Sequence, residues 1–297
     1  MTFLTTVLTV GAVGTLVLAA SLLLPFLGGF LLARVLELLL PLYLLLWFLL
    51  HGRKKSHGWE KFQNIRFAHR GFHNRSDAPE NSLLAFRRAV ERGYGAELDV
   101  HLTRDGHLAV LHDSALDRVC GVPGIVEDMT AAEVQSCRLL GSAERIPFLE
   151  EVLPLFEGKT PLVVELKSAG GNWRELAEKT MECLDRFQAD YCVESFDPRC
   201  LLWLRQNRPE VLRGQLAQAG RGWKAALWPL CSVRTRPDFI AYRFEDRRAP
   251  VVWLLRYLGY HMVWWTIRSQ ADLDWAENRR EPGIFENFVP KEETGGL

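Results

Sequence analysis

The sequence predicts an α/β protein, a TIM-type (β/α)8 barrel with a small insertion after its third strand, preceded by an N-terminal transmembrane helical segment. Three observations predict it. The first 50 residues carry only Arg34 and Glu37 as charges. The roughly 240 residues that follow match the length of one such barrel. Short apolar runs there alternate with stretches of helical periodicity, and successive runs end in charged or titratable side chains.

Composition excludes several classes at once. Of the 297 residues 48% are apolar and 24% charged, so the chain folds rather than staying disordered. Lys plus Arg and Asp plus Glu balance at 36 each. No global positive field exists to hold a polyanion, and nucleic acid is not an expected partner. The 6 cysteines form no CxxC and no zinc-finger spacing, which points to free thiols rather than a disulfide scaffold or a structural zinc site.

Residues 1–50 read as a membrane segment of two helices, either two spans with both ends inside or a single span with a re-entrant second segment. Leu4 to Leu24 is an uncharged run of about the ~20 residues that cross a bilayer core. Pro25, Gly28 and Gly29 interrupt it, and Phe30 to Leu50 forms a second run in which Arg34 and Glu37 lie one helical turn apart and Pro41 can kink the axis. A cleaved signal peptide fits poorly, because no basic residue precedes the first run and the run is too long. Residues 51–60 are a linker in which Arg53, Lys54 and Lys55 supply a basic flank, placing the following domain in the cytoplasm against the membrane.

Residues 61–297 hold the barrel. Strands are expected at Ile65–Ala68, Ala96–Val100, Leu108–Leu111, Leu162–Leu166, Tyr191–Val193, Phe239–Ala241 and His261–Trp265. One helix starts at Asn81 or Ser82 as N-cap and stops at Gly93; another covers Trp173–Phe187. The apolar run Val251–Trp265 reads as a helix leading into a strand, since Arg256, Tyr257 and His261 interrupt it.

Reading the strands at period two exposes the chemistry. Glu97 and Asp99 share one face, opposite Ala96, Leu98 and Val100; Glu165 and Lys167 share another, opposite Leu162, Val164 and Leu166. His69 and His112 close two further runs. In a parallel barrel these strand ends converge on one mouth. Three carboxylates there repel one another unless a cation sits between them, and oxygen donors of this kind suit one hard divalent ion, Mg²⁺ or Ca²⁺. Arg70 and Lys167 add positive charge suited to a phosphate. Two imidazoles can take a proton from a nucleophile and give one to a leaving alkoxide. Metal-assisted cleavage of a phosphodiester is the reaction these groups fit.

Several motifs then resemble a known family, the glycerophosphodiester phosphodiesterases. They are Phe67-Ala68-His69-Arg70-Gly71, Pro79-Glu80-Asn81-Ser82, Glu97-Leu98-Asp99-Val100 with Thr103-Arg104-Asp105-Gly106, and His112-Asp113 with Leu116. Further along stand Ile146-Pro147-Phe148-Leu149-Glu150-Glu151, Glu165-Leu166-Lys167, Ser195-Phe196-Asp197-Pro198 and Trp265-Thr266-Ile267. The resemblance implies a phospholipase C-like barrel that hydrolyses glycerophosphodiesters to glycerol 3-phosphate and an alcohol. It implies acid/base roles for His69 and His112, metal ligation by Glu97, Asp99 and Glu165, and phosphate binding by Arg70 and Lys167. Residues 114–140 correspond to the family's insertion beside the mouth. Gly283-Ile284-Phe285-Glu286-Asn287-Phe288 and Cys120 depart from the family pattern, and these departures are expected to bear on substrate preference alone.

Trp265 is a candidate wall for the glycerol or lipid moiety, while His73 and His101 read as bystanders. Two further readings stand beside the first: a membrane-tethered lysophospholipase D-like enzyme acting on lysophospholipid, and a non-catalytic membrane-associated barrel module. The bilayer is the expected partner of the N-terminal segment.

Overall fold

The computed structural model describes residues 12–15, 29–52, 58–74, 76–220 and 233–291. The chain divides into two compact units, Met1–His51 and Gly52–Leu297. The first contains helix α1, Gly29–Leu50, with Pro41 inside it. Leu39, Leu42, Tyr43, Leu45, Leu46 and Phe48 stand exposed on it. The side chains of 29–36 and 38 lie outside the described residues. Among the described residues no helix is long and apolar enough to cross a membrane. The predicted Leu4–Leu24 run, apart from a helical turn at 12–15, lies outside the described residues, as do the Arg34 side chain and the basic flank Arg53–Lys55.

In the second unit eight parallel strands close on themselves: β1 (Arg66–Ala68), β2 (Gly95–Leu102), β4 (Leu162–Leu166), β5 (Tyr191–Ser195), β6 (Arg213–Ala217), β7 (Phe239–Arg243), β8 (His261–Ile267) and β9 (Gly283–Phe285). Closure is made by β1, which pairs in parallel with β2 on one side and β9 on the other. The strand β3 (Leu108–Val110) corrects the sequence reading. It runs antiparallel to β2, with Val100 opposite Val110, and is no stave of the barrel. Thr103–Gly106 explains why: the Gly106 amide hydrogen-bonds back to the Thr103 carbonyl, with Gly106 at φ 85°, turning the chain directly back instead of over a crossover helix. The insertion therefore follows a hairpin rather than a third stave.

Two staves lacked a readable signal. In β6 the sequence Arg-Gly-Gln-Leu-Ala has neither an apolar run nor clean alternation, yet every residue is buried. Gly214 is required there, since a Cβ would lie 2.1 Å from Cε2 of Phe239. The other, β9, is three residues long.

The barrel's interior is filled near the strands' N-terminal ends by Phe67, Val163, Cys192, Phe239, Val263 and Ile284, joined by Trp59 and Phe62 from the segment before β1. This apolar layer leaves the other end of the barrel free for polar side chains. A second core, with Leu116, Val119, Val126, Val134, Leu139 and Ile146, holds the insertion against β3. Within the insertion lie the short helices α3 (Asp117–Cys120) and α4 (Ala131–Gln135); Thr130 and Glu133 form a capping box on the latter.

The outer helices follow the predicted periodicity. Helix α2, Leu83–Glu91, buries Ala85, Phe86 and Ala89. Ser82, not Asn81, is its cap: Ser82 Oγ accepts from the Ala85 amide at 3.1 Å, a contact typically worth ~1 kcal/mol. Asn81 is thereby released for the site. Helix α6, Trp173–Leu184, follows α5 (Leu149–Val152) and stops three residues short of the predicted end. Val251–Trp265 resolves into helix and strand as expected, helix α8 at Pro250–Tyr257 leading into β8; α7 (Pro198–Asn207) and α9 (Gln270–Glu277) are the other long helices of this unit among the described residues.

Candidate active site

The barrel brings Glu97, Asp99 and Glu165 together at its C-terminal end. One oxygen from each lies within 4.8 Å of the others, and all three side chains are buried. Register explains the meeting. Asp99 on β2 stands directly opposite Glu165 on β4, and Glu97 sits two residues earlier on the same face as Asp99.

Cationic side chains frame these acids. Lys167 Nζ lies 3.0 Å from Asp99 Oδ1 and 2.8 Å from Glu165 Oε2. Arg70 Nε is 3.5 Å from Asp99 Oδ2, and Asn81 Nδ2 donates to the same oxygen at 2.9 Å. Arg70 and Asn81 both adopt left-handed backbone, φ 54° and 58°. This is an unfavourable state for residues with side chains, and here it turns the Arg70 amide onto Glu97 Oε2 at 3.1 Å. Arg70 is held in turn by Glu80 at 2.7 Å, and Arg118, from the insertion, grips both oxygens of Glu80.

Electrostatics follow from burial and crowding. Burial, then the neighbouring Asp99 and Glu165, pushes Glu97 well above the usual carboxylate range. Burial likewise pushes Glu165 up to about 7, against the pull of Lys167. At Asp99 burial is outweighed by Lys167 and Arg70, which hold it well below. Three buried carboxylates that bring one oxygen each within 4.8 Å of the others are the all-oxygen set a hard cation neutralises. The residues present therefore fit a divalent cation.

Two histidine–carboxylate pairs flank the cluster. Glu286 Oε2 accepts from His69 Nδ1 at 2.6 Å, and Asp113 Oδ1 accepts from His112 Nδ1 at 2.6 Å. A carboxylate only accepts, so each Nδ1 carries hydrogen, and each Nε2 is left to hold a lone pair in the neutral ring or the exchangeable proton in the imidazolium. His69 Nε2 lies 3.9 Å from Glu97. Burial lowers both histidines below 6.5 and so favours the neutral imidazole. Glu286 is driven down to about 2, the His69 pair overriding burial.

Several of these residues are absent from the sequence-based site. Glu286 belongs to the segment expected to affect substrate preference alone. That expectation is corrected here, because Glu286 directly follows β9 and contacts His69. Its signal was the period-two placement of Ile284 and Glu286, hidden by a strand only three residues long. His101 is a satisfied polar residue, as expected, and not part of the carboxylate cluster: Nδ1 meets Glu127 at 2.6 Å and Nε2 contacts the carbonyl of His112 at 3.1 Å, which ties down the backbone under that imidazole. Trp265 is half-buried, donates through Nε1 to the Ala241 carbonyl at 3.0 Å, and meets Phe196 edge-on at 5.6 Å. Phe196 is exposed beside a cavity of about 840 Å³ that His112, Glu165, Lys167 and Asp197 also line.

A parallel barrel with a carboxylate cation site, two paired imidazoles and flanking cations at the mouth defines a phosphoric diester hydrolase. Residues 69–291 match the glycerophosphoryl diester phosphodiesterase family, and the chain belongs to it. A glycerophosphodiester phosphodiesterase of Caldanaerobacter subterraneus is 37% identical over 177 residues, 56% of this chain and 72% of that protein. A human lysophospholipase D is 32% identical over 186 residues, 58% of this chain and 54% of that protein. Against an Oleispira antarctica phosphodiesterase solved with the product sn-glycerol-3-phosphate, the TM-score is 0.65 at 23% identity, covering 74% of this chain and 92% of that one.

Proposed function

We propose that the protein hydrolyses glycerophosphodiesters to glycerol 3-phosphate and an alcohol with one divalent cation, Mg²⁺ or Ca²⁺, held by Glu97, Asp99 and Glu165. The observation that carries this reading is the meeting of the three buried carboxylates within 4.8 Å beside Lys167 and Arg70. When bound, the cation supplies positive charge to the phosphoryl oxygens as a Lewis acid.

Arg70 and Lys167 orient the phosphate and offset its growing charge. One imidazole, His69 or His112, is neutral and accepts the nucleophile's proton at Nε2; the other enters the step as the imidazolium, stabilised by its carboxylate partner, and gives its Nε2 proton to the leaving alkoxide. Glu286 and Asp113 fix the ring orientations and stabilise each imidazolium as it forms. Trp265 and Phe196 form the apolar wall against which the glycerol or alcohol moiety rests. Hydrolysis of glycerophosphocholine by the metal-loaded protein, followed by release of glycerol 3-phosphate, tests the reading. Unchanged substrate at full metal occupancy contradicts it.

A second reading, lysophospholipase D-like hydrolysis, is favoured by the exposed Phe196 at the mouth and by the similarity to the human lysophospholipase D. Assaying lysophosphatidylcholine beside glycerophosphocholine separates the two. We also propose that the N-terminal segment anchors the barrel to a bilayer, with the barrel in the cytoplasm. The support is the apolar sequence, the exposed leucines of α1 and the basic flank Arg53–Lys55. A reporter fused after Leu297 tests the location, and extraction of the full chain by carbonate alone contradicts the anchor.

A further inference from the structure

Glu194 has no task in the reaction described so far, yet it is the ladder neighbour of Glu165, just outside the three carboxylates whose oxygens lie within 4.8 Å of one another. It is the fourth residue of β5, in register with Glu165 on β4. Cys192, two residues earlier, packs in the barrel's interior beside Val163, itself two residues before Glu165. Alternation therefore turns Glu194 inward above Cys192 as Glu165 is turned inward above Val163. The side chain is 1% exposed, and its Oε2 is buried with no hydrogen-bond partner among the described residues. The charges acting on it are those of Glu165, Lys167 and Asp99, and Glu97 feels its charge in return. A buried carboxylate oxygen without a donor is costly, and nothing in the protein's own hydrogen bonding accounts for it.

We propose that Glu194 is a fourth carboxylate of the cation site, its free Oε2 serving the ion from beside Glu165, and that this enlarged oxygen set makes the site select Ca²⁺ over Mg²⁺. The inference rests on the reading that Glu97, Asp99 and Glu165 hold a cation. Ca²⁺ accepts six to eight oxygens in flexible geometry, whereas Mg²⁺ demands near-ideal octahedral geometry, keeps several waters and uses one or two carboxylates. Four carboxylates crowd Mg²⁺ and suit Ca²⁺. Arg70, Lys167 and one divalent ion balance the four acids, so a second ion is not required.

The test uses the full chain in detergent, stripped of metal by chelation, with Tb³⁺ as the probe. Tb³⁺ is displaced by Ca²⁺ or Mg²⁺, and luminescence lifetimes in H₂O and D₂O count the waters it retains. Wild type is expected to bind Ca²⁺ at least ~10-fold tighter than Mg²⁺. Glu194→Leu, which removes both oxygens at nearly constant volume, is expected to lose ~10-fold in Ca²⁺ affinity, leave Mg²⁺ within ~2-fold and admit about one more water to Tb³⁺. Glu194→Gln, which removes only the charge, is expected to fall between. Unchanged Ca²⁺ affinity and water count in Glu194→Leu overturn the inference, as does a wild-type preference for Mg²⁺, which decides the matter even if the variants do not fold. Glu165→Gln is the separate control. If it too binds Tb³⁺ as wild type does, the cation site itself is misplaced; if it alone fails to bind, only the role of Glu194 is wrong.

Discussion

His69 donates its Nδ1 hydrogen to Glu286 across 2.6 Å, tying the end of the first barrel strand to the end of the last. The same bond is made within one loop by His112 and Asp113. Barrel closure and acid/base chemistry thus share a contact. The His69 amide also donates to the Phe285 carbonyl at 2.9 Å, so the imidazole and its carboxylate are positioned by adjacent rungs of one ladder.

From these pairs comes a graded loss of activity. His69→Ala and His112→Ala each lower kcat by ~100-fold or more, the scale of acid/base catalysis. Glu286→Gln and Asp113→Asn keep the rings but lose their orientation, and lower kcat by ~10-fold or more. Steady-state kinetics on glycerophosphocholine measure all four. Equal activity of Glu286→Gln and wild type would remove Glu286 from the mechanism.

Glu165 gives a stability prediction. Its folded pKa of about 7 lies above the ordinary 4.5. A raised carboxyl contributes stability that is complete below 4.5 and is lost as pH rises through about 7. The metal-free protein therefore loses thermal stability between pH 5 and 8. Added Ca²⁺ or Mg²⁺ raises Tm, and raises it more at pH 8 than at pH 5, because binding requires the ionised carboxylate. Scanning calorimetry with and without cation measures it, and a metal shift larger at the acid end refutes it.

Arg118 reaches the site by two routes: it holds both oxygens of Glu80 while Glu80 holds Arg70, and its Nε donates to Asp113 Oδ2 while Asp113 Oδ1 holds His112. Arg118→Ala should raise KM roughly 3- to 10-fold by loosening Glu80 and Arg70, and lower kcat by up to ~10-fold by loosening the Asp113–His112 pair. Steady-state kinetics on glycerophosphocholine measure both, and unchanged KM and kcat would remove Arg118 from the site.

Legibility followed strand length and regularity. The long, regular β2 and β4 display Glu97, Asp99 and Glu165 on defined faces, with Lys167 directly after β4, so the meeting of the three carboxylates is readable from the sequence. The histidine partners were not. Asp113 is adjacent to His112 but was read only as part of a motif, and Glu286 stands 217 residues from its imidazole, beyond any local periodicity. Glu194 was missed because Tyr191–Val193 was read as the strand, and the two residues that extend it carry the acid. β3 was taken for a stave because an apolar run of that length carries no record of its direction; direction is set by the connection before it.

Gly214 marks a limit of composition. Gly214→Ala forces a methyl into the ring of the fully buried Phe239, 2.1 Å away. The expected cost is ~2–3 kcal/mol by overpacking. Urea unfolding followed by tryptophan fluorescence tests it, and a variant as stable as wild type would mean that the ring can yield.

Cleavage of a glycerophosphodiester by this barrel is expected to require one cation gripped by Glu97, Asp99 and Glu165. Release of glycerol 3-phosphate from glycerophosphocholine is its most direct measure, followed in the wild type with metal, with chelator and with metal restored, beside Glu97→Gln and Asp99→Asn. The account predicts release that stops with chelator, returns with metal and is absent from both variants at every metal concentration below saturation of a weakened site. Release by the chelated protein, or by the variants at the wild-type rate, would contradict it.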